Sequence, residues 1–138
     1  MHTVDTLPFP AFEFRGTHRE AGRQHGEALR ELIAGHLEIV YERAGRRAGL
    51  SPEQTRDLAL AFEPHIRTYA PGFMEEVEGL AEGAGLEKAE ALLLQVRQEA
   101  IHTAHLGAGA GTPGAPPLVE DECTTFAVTA PYTTAGRT

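Results

Sequence analysis

Only one cysteine, Cys123, occurs in the 138 residues. No disulfide can therefore form within the chain, and a cysteine-rich structural zinc site is excluded. Long apolar runs are absent as well: no stretch approaches the ~20 residues that a helix needs to span a bilayer. Basic residues are scarce, twelve Lys and Arg against twenty Asp and Glu, for a formal charge of −8. That balance, with no basic run, argues against a nucleic-acid backbone as partner. Arg43, Arg46 and Arg47 form one small cluster, read as the solvated end of a helix whose dipole they complement. Met1-His2-Thr3-Val4-Asp5 carries neither the basic region nor the apolar core of a secretory signal. The expected compartment is the cytosol, with neither nucleic acid nor membrane as partner.

What is present is an ordinary globular composition, 41% apolar and 23% charged, in a length sufficient for one domain with a core. Ala11–Arg15 alternates Phe12 and Phe14 with Glu13 and Arg15 after two prolines, which predicts a short edge strand. Thr17-His18-Arg19-Glu20 is a capping box opening a long helix as far as Arg47, with an apolar stripe through His25, Leu29, Leu32, Ile33, His36, Leu37, Val40, Tyr41 and Ala44. Gly22 and Gly26, four apart, each cost about 1 kcal/mol in a helix relative to alanine, so close packing against another element is the expected compensation. Ser51-Pro52-Glu53-Gln54 opens a second helix, with Leu58, Phe62, Ile66 and Tyr69 inward and Pro64 expected to kink or divide it. Pro71 begins a third, with Phe73, Val77, Leu80 and Ala81 inward and Gly83 and Gly85 as its stop. A fourth, Glu87 to Ala104, buries Leu92, Leu93, Val96, Ala100 and Ile101.

The expected domains are a mostly helical region over 1–105, a Gly/Pro-rich linker over 106–122 and the start of a β-sheet region over 123–138. Cys123-Thr124-Thr125-Phe126-Ala127-Val128-Thr129 is rich in β-branched residues and reads as a strand, and Pro131–Thr138 as a turn into a second. A strand without its partner is a poor ending, so the 138 residues read as the front part of a larger enzyme or as a truncated product. A thiol at the mouth of a strand, behind a segment that could be cut, suits an N-terminal nucleophile. There the chain breaks before the cysteine and the freed amine serves as its base. The alternative for a lone cysteine is an inert buried thiol.

Gly16-Thr17-x-x-Glu20-x-Gly22-x-Gln24-His25-Gly26 is followed by Tyr69-x-Pro71 with Glu75-Glu76, and then by Gly79-Leu80-Ala81-Glu82-Gly83-Ala84-Gly85. Leu92-Leu93-Leu94-Gln95-x-Arg97-x-Glu99 and Cys123-Thr124-Thr125-Phe126-Ala127 complete the succession. In this order, from Gly16 to Val128, the chain resembles the autoproteolytic acyltransferases and hydrolases of the acyl-coenzyme A:6-aminopenicillanic acid acyltransferase type. The resemblance implies an α+β fold: an N-terminal helical segment plus the first strands of an N-terminal-nucleophile αββα sandwich, here truncated. It implies cleavage at Glu122-Cys123, Cys123 as nucleophile of processing and turnover, and Thr125 as a processing residue. Glu122 departs from the glycine that many members of the family carry there, and its bulk works against the strained geometry of cleavage. By the same resemblance the substrate is a small-molecule amide or an acyl-coenzyme A thioester, with no cofactor. The partner is the remainder of the catalytic subunit, and an oligomer is compatible with the exposed strand edges expected of a fragment. The oxyanion donors would lie beyond Thr138, so the 138 residues alone are expected to be inactive.

Other motifs carry less. Glu99-x-x-His102 has di-iron spacing, but no second such motif accompanies it, so it reads as a polar cluster at a helix end. His25 and His36 read as core-edge histidines, and the acids of Glu75–Glu90 as a solvated face. Gly109-x-Gly111-x-x-Gly114 follows a helix and runs into prolines, contrary to a dinucleotide fingerprint. Outside the enzyme class, the competing reading is a non-catalytic helical interaction module or a truncated relic.

Overall fold

The local signals at the helix ends translate directly into structure. In the computed structural model, which describes residues 10–109, five helices follow one another: α1 (His18–Ala28), α2 (Arg30–Ala48), α3 (Pro52–Tyr69), α4 (Pro71–Ala84) and α5 (Lys88–Gly109). Thr17 and Glu20 close the capping box on α1, and Ser51 and Gln54 close the one on α3. Pro52 and Pro71 occupy first-turn positions, where their missing N–H has no partner to lose. Gly49 and Gly85, with φ of 66° and 73°, adopt the left-handed conformation that ends α2 and α4.

No strand occurs among the described residues, so the α+β expectation is corrected there to an all-helical architecture. The expected strand at Ala11–Arg15 takes no partner strand. Its end is held by a side chain instead: the Gln24 amide donates to the Arg15 carbonyl (2.7 Å), and the Arg15 N–H donates back to Gln24 Oε1 (3.4 Å). Phe12 and Phe14 do not alternate across a sheet. They stack on each other (6.1 Å between centroids), and Phe14 stacks on His25 of α1 (5.4 Å). The strands expected over 123–138 lie outside the described residues.

Three further boundaries differ from the sequence reading. The long first helix breaks at Leu29 (φ −120°, ψ 20°), giving α1 and α2. Pro64 sits inside α3 without dividing it. Helix α5 continues to Gly109, past Ala104, but bends at Val96 (φ −109°, ψ 18°). The Arg97 guanidinium donates to the Leu94 carbonyl beside that bend (2.6 Å), supplying a donor where the helical ladder is disturbed.

Helix α5 is the central element. Its residues Leu93, Leu94, Val96 and Ala100 pack with Leu37 and Val40 of α2 and Ala59 of α3. Ala91 and Leu92 pack with Met74, Val77, Leu80 and Ala81 of α4. The stripe foreseen on α2 is narrower than its pattern: Leu37, Val40 and Ala44 are buried, whereas Leu32 is 72% exposed. Tyr69 and Phe73, expected inward, are 93% and 39% exposed.

Candidate functional site

Glycines set a close approach between α1 and α4. A Cβ on Gly22 would overlap the Glu76 carbonyl, and one on Gly26 would lie 2.5 Å from the Leu80 carbonyl. Reciprocally, a Cβ on Gly79 would overlap the Arg19 carbonyl and one on Gly83 the Arg23 carbonyl. Each carbonyl lies one turn before the glycine opposite, so Gly22 faces Gly79 and Gly26 faces Gly83 across two parallel helices. The absence of four Cβ atoms lets the backbones touch and brings Cα–H groups onto carbonyl oxygens. Gly83 is thus a packing residue, not the helix stop read from the sequence. Arg30, at the start of α2, donates to the Gly83 carbonyl through Nε (3.2 Å) and Nη2 (2.8 Å), tying a third helix to this seam.

A ribbon of charge runs along the same helices. Arg19 pairs with Glu82 and, at 3.2 Å, with Glu78. Arg67 of α3 donates to Glu78 (2.8 Å) and Glu63 (2.7 Å), and Lys88 of α5 reaches Glu63 (2.7 Å). Glu78 is therefore a junction between α1, α3 and α4 and not merely part of a solvated face. Only its partners from distant sequence could have disclosed this. A second cluster joins α2, α3 and α5. The Tyr41 hydroxyl donates to Glu90 and accepts from Arg56, both at 3.2 Å, with the Arg56 guanidinium 6.0 Å from the Tyr41 ring centroid. Burial pushes the Tyr41 phenol above its ordinary pKa.

The carboxylates of this frame are held below the usual range: Glu82 by hydrogen bonding to Arg19, Glu63 by Arg67 and Lys88, and Glu20 by the Thr17 N–H and hydroxyl. Lowered carboxylate pKa values contribute stability that is present above the unfolded value of about 4.3 and is lost as pH falls through the folded ones. The melting temperature should therefore fall below about pH 4.5. The combined Glu20→Gln, Glu63→Gln, Glu82→Gln variant should show a smaller fall between neutral and acid pH. Thermal unfolding followed by circular dichroism checks this, and identical acid losses for both chains would contradict it. Glu20 and Glu82 are exposed, whereas Glu63 is half-buried, so the share of the difference that Glu20 and Glu82 carry should shrink in high salt.

The sequence-predicted site residues Glu122, Cys123 and Thr125 lie outside the described residues. What the structure does gather are the upstream motifs. Gln24 and His25 hold the segment before α1, and the glycines of the first and third motifs meet each other. The Leu92–Glu99 block forms the middle of α5. His36 is exposed, His25 lies under Phe14, and Glu99 is exposed beside a half-buried His102. Among the described residues no three His, Cys, Asp or Glu side chains converge as a metal set. One shallow groove lies between α2 and α5, lined by His36, Ile39, Val40, Arg43, Arg97 and Ile101, with Gln98. No helix among the described residues is long and apolar enough to cross a membrane. No protein-family model matches the chain.

Proposed function

We propose that this chain is the front segment of a cytoplasmic cysteine N-terminal-nucleophile acyltransferase or amidohydrolase that matures by self-cleavage at Glu122-Cys123. The ordered succession of motifs carries the reading. Its support from the geometry is that the glycines of two motifs, far apart in sequence, form one seam. In processing, the Cys123 sulfur attacks the Glu122 carbonyl carbon. The C–S bond forms, the C–N bond breaks, and the departing nitrogen takes a proton to become the α-amine of Cys123. Water then hydrolyses the thioester, releasing the Glu122 carboxylate and the thiol.

A free thiol of pKa about 8.5 is only a few per cent ionised at neutral pH. The liberated amine, with a pKa of about 7.7–8.0, can accept its proton. The substrate amide or acyl-coenzyme A thioester would acylate the sulfur, and an amine or water would take the acyl group. Glu120, Asp121 and Glu122 oppose thiolate formation while they remain attached, so cleavage itself would raise the reactivity of the sulfur.

The test is the intact mass of the full-length gene product. Two fragments, the second beginning with Cys123, are expected, and Cys123→Ala should abolish cleavage. A single uncleaved mass, together with a thiol that resists alkylation in the native protein, would replace this reading with the helical interaction module.

A further inference from the structure

We propose that the groove between α2 and α5 is the docking site of the chain's own acidic segment, Leu118-Val119-Glu120-Asp121-Glu122. The groove is lined by the buried Val40 and Ile101, the exposed Ile39 and two arginines, Arg43 and Arg97. Among the described residues no carboxylate lines it, in a chain whose formal charge is −8. Arg97 is fixed in place by its hydrogen bond to the Leu94 carbonyl, so little side-chain freedom is left to lose on binding. Along the exposed side of α2, Leu32 (72% exposed) extends the apolar surface beyond Ile39 (52% exposed).

The occupant is chosen by complementarity. Glu120-Asp121-Glu122 is the one run of three consecutive acids in the sequence, and two aliphatic residues precede it. Aliphatic side chains would meet the apolar lining and carboxylates the guanidinium groups, which favour bidentate contact with carboxylate. Reach is no obstacle. The helix from Ile101 to the end of α5 at Gly109 advances about 12 Å. The residues between Gly109 and Glu120 can span up to about 36 Å when extended. Once the chain is cut after Glu122, docking would hold the three carboxylates away from the thiol. The inference nevertheless stands apart from the cleavage chemistry, since it concerns where the segment binds and not what the sulfur does.

A nitroxide attached at position 124 of the full chain carrying Cys123→Ala and Thr124→Cys tests it, because that chain cannot cut itself. Amide signals of Ile39, Arg43, Gln98 and Ile101 should broaden selectively. The broadening should be lost in about 1 M salt, where the screening length is ~3 Å, and lost on Arg43→Glu. Adding Glu120→Arg to the Arg43→Glu chain should restore it. Broadening that survives Arg43→Glu, or that falls on other surfaces, overturns the proposal. So does broadening seen only between a labelled chain and a second, isotope-enriched chain, which would assign the groove to a second copy.

Discussion

Gly79→Ala is expected to destabilise the protein by about 3 kcal/mol, near the upper end of the usual cost of overpacking. The added methyl group would sit within the space of the Arg19 carbonyl and only 2.9 Å from the Arg23 nitrogen. Both are backbone atoms of α1, so no rotamer change can relieve the clash. The helices must separate, which would weaken the Arg19 ion pairs to Glu78 and Glu82 and the Arg30 contact with the Gly83 carbonyl. Alanine's better helix propensity returns only about 1 kcal/mol, and the estimate already includes it. Against a typical total of 5–15 kcal/mol, the loss is a large fraction.

Gly35→Ala provides the opposite sign. Nothing lies within 4 Å of a Cβ at that position on α2, so the propensity gain of about 1 kcal/mol should appear as stabilisation. Urea denaturation measures both. The midpoint should fall for Gly79→Ala and rise for Gly35→Ala, with the slope unchanged if the denatured state is unaffected. A Gly79→Ala chain within about 0.5 kcal/mol of the parent would mean that the seam is not as tight as described.

The seam also shows what was legible in the sequence. The spacing of Gly22 and Gly26 announced a close approach, because two helix-weakening residues on one face need a reason. The identity of the partner was not announced. Gly79 and Gly83 have the same spacing, but Gly83 stands beside Gly85 and reads as a helix stop. Caps were readable because Thr17, Ser51, Gly49 and Gly85 act within one turn of their own positions. Leu29 was not, since apolar residues continue at helical spacing through it and neither Gly nor Pro marks the break. The apparent strand at Ala11–Arg15 failed for a related reason. Alternation shows that Phe12 and Phe14 share a face, but it does not distinguish a sheet from a stack on His25. Tyr69 and Phe73 fit the periodicity of their helices yet lie at the α3–α4 junction, beyond the reach of the core. Of the candidate site, only the supporting motifs fall within residues 10–109.

Leu92→Ala and Leu93→Ala should each cost about 2–5 kcal/mol, the range for removing a fully buried leucine side chain. Adjacent residues on a helix rarely both disappear from solvent, because they point about 100° apart. Here both are wholly buried, Leu93 toward Leu37, Val40 and Ala59, and Leu92 toward Met74, Val77 and Leu80. Helix α5 can bury both because it lies between α4 on one side and α2 with α3 on the other. The two truncations should therefore open separate cavities. The double variant should lose nearly the sum of the single losses, with a coupling of no more than about 0.5 kcal/mol. Ile33 and Ile66 touch both clusters and are the route by which a larger coupling would arise. Urea midpoints of the two single variants and the double variant decide the matter. A loss below about 1 kcal/mol for either leucine would contradict its placement in a packed core. Strong coupling would show that the helices enclose one continuous core around α5 instead of two.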